Sequence, residues 1–220
     1  MLEIDRGREA VVSAMMATQA QMLKSAIEHP SLYPSSYITN GNSHERVYQL
    51  EEMLRNISEG KCGRASTHSL FILCSKYADL FDVMLLLASY RDNHSSEFHD
   101  KNIEHHALFL VRDTTGIWHA GSPANHRIGS SDSPLTKIIS SRNLEEVISE
   151  ISKSEGGLWP SADFINQAIG NGYKRPFITK EGGLLSLNIA YIRTRFGREE
   201  MYYDGFPVLN RFGIPLYYYH

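Results

Sequence analysis

Through residues 9–28 apolar side chains recur at helical spacing, at Val12, Met16, Ala20, Leu23 and Ile27, with Met15, Met22 and Ala26 beside them. The pattern predicts an N-terminal helix with one buried face, ended by Pro30 and Pro34. Residues 31–42 are rich in Ser, Pro, Tyr, Asn and Gly and read as a loop. Val47, Leu50, Met53, Leu54 and Ile57 then restore a helical period over residues 44–57, and Gly60 stops it. Residues 64–81 favour helix again. The apolar run over residues 82–90 fits either a continuing helix or a buried strand, since a short apolar run does not declare its period, and strand is the expectation.

Residues 94–104 are polar and lead into the doubled histidine His105-His106. Residues 107–111, then Thr114-Thr115-Gly116, then Ile117-Trp118 give the clearest hairpin of the chain, with Asp113 as a turn residue. Gly129 to Pro134 reads as a loop, residues 144–151 as a short helix, and residues 161–164 as the start of another that Gly170 and Gly172 end. Residues 184–194 and 202–219 alternate aromatic and aliphatic positions, broken by Gly and Pro, and predict further strands. No internal repeat or low-complexity linker divides the chain. A single domain over residues 1–220 is expected, with a core at about 45–130, a helical N-terminal extension and a strand-rich C-terminal one.

A length of 220 residues with 42% hydrophobic content suffices for a sizeable core. The net charge of -3 provides no broad basic field, which argues against a nucleic-acid partner. No run approaches the roughly 18 apolar residues of a membrane span, and residues 1–6 lack the form of a secretion signal. The expected setting is cytoplasmic, or a host cell reached by a signal-free secretion route. Cys62 and Cys74 are too few for a disulfide framework. On one helix they would stand about 18 Å apart, so both are expected as thiols.

Gly60-Lys61-Cys62-Gly63 places one of those thiols at a predicted helix start, and the histidine-led hairpin arrives later. A helix N-terminus and a neighbouring imidazolium both lower a thiol pKa, and flanking glycines let the Cys62 amide face a developing oxyanion. The alternative is a small buried residue at a helix start.

The segment His106-Ala107-Leu108-Phe109-Leu110-Val111, with Ile117-Trp118-His119-Ala120-Gly121-Ser122-Pro123, resembles a motif of papain-like thiol enzymes, above all the NlpC-type cell-wall peptidases. The resemblance covers residues 62–125. It implies Cys62 as nucleophile, His106 as general base and His119 as the group that orients it. Transglutaminase-like enzymes share the order cysteine, histidine, then a polar group on the next strand, and by that alignment the third member is Ser122 or Asn125. The chain departs from the NlpC pattern around the cysteine, where Lys61 precedes and Gly63-Arg64 follow, and it lacks the usual Gly-Asp strand. His105 is the runner-up for His106. Gln49 stands where papain-like enzymes supply an oxyanion-hole amide, or else is an exposed helical glutamine.

The expectation is an α+β, papain-like core in which a central helix packs on an antiparallel sheet. Its reaction would be amide hydrolysis or acyl transfer through a thioester on a protein or peptide substrate, with no cofactor. Protease, deamidase and transglutaminase chemistry all fit, as does an injected bacterial effector. The alternatives are an inert papain-like fold that binds protein partners and a His-rich metal-binding protein. Ten histidines, with His94, His99, His105, His106 and His119 in one region, motivate the latter, although their spacing matches no familiar ligand motif.

Overall fold

A computed structural model describes residues 6–28, 62–92, 103–123, 138–195 and 197–209. In chain order these form α1 (Arg6–Glu28), α2 (Cys62–Lys76), β1 (Phe81–Asp92), β2 (Ile103–Asp113), β3 (Trp118–Gly121), β4 (Ile139–Ser141), α3 (Leu144–Glu155), α4 (Ala162–Gly170), β5 (Phe177–Glu181), β6 (Leu184–Arg195) and β7 (Arg198–Leu209). The architecture is α+β. The expected helix over residues 44–57 lies outside the described residues. Among those that are described, no helix is long and apolar enough to cross a membrane.

The strands form one seven-stranded sheet with the path β4-β3-β2-β1-β6-β5, and β7 also pairs with β6. Strand β1 pairs antiparallel with β2 but parallel with β6, where Leu85 to Ser89 run beside Ala190 to Thr194. The sheet is therefore mixed, which corrects the expectation of an antiparallel one. β7 follows β6 along most of its length. β5 pairs with residues 184–188 of β6 and β1 with residues 190–194, so β5 and β1 share one edge of that strand in succession.

Apolar clusters cover both faces of this sheet. One joins Val11, Ala14 and Met15 of α1 and Ala65, Leu70 and Leu73 of α2 to Met84, Leu86, Ala107, Phe109, Val111 and Ile189. The other joins Val147 and Ile151 of α3 and Ile165 and Ala168 of α4 to Val83, Leu85, Leu87, Leu108, Leu110, Trp118 and Ile192. Helices thus flank the sheet on both sides, and residues 83–89 of β1 are buried on both of its faces. Its apolar run is continuous for that reason, and alternation could not show in it. A register shift between Phe81 and Val83 puts Phe81 on the α1–α2 side with Met84 and Leu86, although its number is odd. The extra residue, Asp82, accepts both nitrogens of an Arg112 fork, Nε at 3.0 Å and Nη2 at 2.6 Å.

Local chemistry sets the helix ends. The Glu145 amide donates to Asn143 Oδ1 at 3.0 Å at the start of α3, and the Phe164 amide donates to Ser161 Oγ at 3.2 Å at the start of α4. α2 ends at Lys76, five residues before the predicted limit, because a short 3-10 turn over Ala78–Leu80 intervenes and Phe81 already belongs to the strand.

Candidate functional site

Cys62 opens α2, as expected, and is 2% exposed. Its sulfur accepts the Ala107 amide N–H of β2 at 3.3 Å, while Ser66 Oγ donates to the Ala107 carbonyl at the same distance. The first turns of α2 thus use both backbone polar groups of one residue in the histidine-bearing strand. Burial pushes the Cys62 thiol pKa up, and the Ala107, Gly63 and Cys62 amides oppose that rise only in part.

His106 sits next to Ala107 but projects to the other side of the sheet. Its Nε2 lies 3.6 Å from Glu155 Oε2 at the end of α3, and its ring meets Trp159 edge-on at 6.2 Å. Ala107 belongs to the α1–α2 cluster with Cys62, while Trp159 belongs to the α3–α4 cluster. The sheet therefore separates the Cys62 and His106 side chains. Strand alternation is the cause, since neighbouring residues face opposite ways. His105 pairs with Tyr90 in the backbone register, and its side chain lies outside what is described.

His119 shares the Cys62 face but not its neighbourhood. It stands opposite Val111, four residues from Ala107, or about 13 Å along the strand. The side chain has no exposed surface. Its Nε2 lies 3.2 Å from Asp113 Oδ2 and its Nδ1 2.9 Å from Ser140 Oγ, the latter directly across the β3–β4 ladder. The Asp113 Oδ1 meanwhile takes the Thr115 hydroxyl at 2.7 Å, the Thr115 amide at 2.9 Å and the Ile117 amide at 3.0 Å. Burial alone would raise the Asp113 pKa, but the Thr115 hydroxyl, the Ile117 amide, His119 and the Thr115 amide together hold it below the usual carboxylate range. With the Asp113 carboxylate as acceptor, the His119 Nε2 is the donor of that pair. In the tautomer whose only proton is on Nε2, Nδ1 is the acceptor and the Ser140 hydroxyl the donor.

Asp113 is thus the turn residue the sequence suggests and also one end of a Ser140–His119–Asp113 chain that sequence reasoning missed. Nothing in the short segment Ile139–Ser141 marks it in advance. Ser122 follows β3 and is partly exposed. Asn125, Gln49, His94 and His99 lie outside the described residues. Among the described residues no group of three or more His, Cys, Asp and Glu is placed to hold a metal ion. Comparison with protein-family models, with curated proteins and with solved structures finds no match to this chain.

Proposed function

We propose that the protein is a thiol-dependent amide hydrolase or acyl transferase acting on a protein or peptide, with Cys62 as nucleophile. The observation that carries this reading is the 3.3 Å contact between the Cys62 sulfur, at a helix N-terminus, and the Ala107 amide of the strand that carries both histidines. A thiol becomes a nucleophile when a proton acceptor takes its proton. His106 is turned toward Glu155, so the general base in this proposal is the neighbouring His105. Both ring nitrogens of His119 are engaged by Asp113 and Ser140. The orienting role therefore passes in this reading to Asn125, or to Ser122. Attack on an amide carbonyl gives a thioester, the leaving amine takes the proton from the histidine, and water or another acceptor completes the transfer.

The test is alkylation of the two cysteines near about pH 6, followed by peptide mass spectrometry, in the unaltered chain and in His105→Ala and His106→Ala. Cys62 is expected to react faster than Cys74, to lose that advantage in His105→Ala, and to keep it in His106→Ala. A Cys62 no faster than Cys74 in the unaltered chain refutes the nucleophile. The burial and raised pKa of Cys62 favour a second reading, an inert fold that binds protein partners, and that outcome would select it.

A further inference from the structure

The Ser140–His119–Asp113 chain lies far from Cys62 and ends at Ser140, an exposed residue of the edge strand β4. Its inner members are held in place. Asp113 is fixed by three donors besides His119, and α1 closes over the pair so tightly that a Cβ on Gly7 would stand 2.5 Å from Asp113 Oδ2 and 3.0 Å from His119 Nε2. The bond directions are those of a general base. Asp113 accepts from Nε2, and in the tautomer that this bond requires of a neutral ring Nδ1 is placed to accept from Ser140.

We propose that Ser140, His119 and Asp113 form a second acyl-accepting centre, which takes esters of acidic alcohols and retains the acyl group on Ser140. Ser140 Oγ attacks the ester carbonyl as its proton passes to His119 Nδ1. The new Oγ–carbon bond forms, the bond from carbon to the leaving oxygen breaks, and that oxygen departs with the electron pair as a phenolate. The proton stays on His119, where the Asp113 carboxylate balances it.

The burial of His119 sets the substrate class. A ring with no exposed surface takes a proton from Ser140 but does not hand one to a departing group in solvent. Leaving groups that need protonation, such as amines and alkoxides, are excluded, whereas a phenolate leaves unaided. The same enclosure keeps the ring from activating a water for hydrolysis, so the acyl-serine accumulates.

The experiment uses p-nitrophenyl acetate on the full chain carrying Cys62→Ala and Cys74→Ala, so that neither thiol contributes and failure here leaves the Cys62 reading untouched. A burst of about one equivalent of nitrophenolate per chain is expected, followed by slow turnover, with one acetyl group mapped to Ser140. Ser140→Ala, at an exposed edge position, is expected to abolish the burst, and His119→Gln to slow it ~100-fold or more. Should His119→Gln fail to fold, Ser140→Ala with the mapped acetyl decides. Absence of a burst, a burst that survives Ser140→Ala, acetyl found elsewhere, or an undiminished rate in folded His119→Gln overturns the proposal.

Discussion

Thr18 has one hydroxyl proton and three polar neighbours. That proton goes to the Ala14 carbonyl at 2.9 Å, so Ser69 Oγ at 2.8 Å and His68 Nδ1 at 3.2 Å must donate to it. Burial lowers the His68 pKa from 6.5 to about 4. Between those values the unfolded chain binds a proton that the fold refuses. The stabilisation is full above 6.5 and falls by up to ~3 kcal/mol as pH drops toward 4. Asp113, held below its ordinary range, acts in the same sense at lower pH, since its contribution is lost as pH falls through the depressed value. Urea midpoints measured near about pH 7 and about pH 4.5 are expected to differ less in His68→Gln than in the unaltered chain. Equal differences would refute the assignment. At this scale the sequence showed residue types and not facing. It marked Cys62 at a helix start and Asp113 in a turn, but which of His105 and His106 shares a side with α2 depends on how that helix lies on β2, which is a tertiary fact. Residues 119 and 140 meet only because β4 pairs with β3 across a connection of seventeen positions, from Gly121 to Ile139.

Gly7 and Gly121 explain how α1 comes so close to the sheet. A Cβ on Gly121 would stand 3.1 Å from both Met15 Sδ and Phe109 Cζ, and one on Gly7 would meet the Asp113 carboxylate. Gly7→Ala is expected to cost ~1–3 kcal/mol, whereas Gly170→Ala at the end of α4, where nothing lies within 4 Å of the added carbon, should be neutral or stabilising. Denaturant unfolding of the two variants compares them, and equal stabilities would show that the contact at Gly7 relaxes freely. Elements with strong periodicity or punctuation were legible, namely α1, the β2–β3 hairpin, α3, α4 and β6. β5 was not, because Phe177, Ile178, Lys180 and Glu181 are exposed or nearly so and carry no buried alternation. β4 has three residues and too little length for any period.

Burial on both sides of β1 is a property of the whole assembly and can be tested as one. Leu85 packs toward α3 and α4, Leu86 toward α1 and α2, and neither has exposed surface. Leu85→Ala and Leu86→Ala are each expected to cost ~2–5 kcal/mol. A sheet covered on one side only would make one of them nearly neutral, so a strong asymmetry in their unfolding free energies would contradict the layered arrangement. The helices of the second layer were legible but their place on β1 was not, because a continuous apolar run reads the same in a helix and in a doubly covered strand. The partner of β1 carries a further consequence for biosynthesis. Leu85 runs beside Ala190, so the centre of the sheet cannot close until residues 190–194, about a hundred positions after β1, have left the ribosome. Until then the emerging polypeptide carries an apolar strand with an open hydrogen-bonding edge, a template for pairing with other nascent chains. A holdase that shields this strand during translation would raise the yield of native protein far more than it would alter the stability of the finished fold.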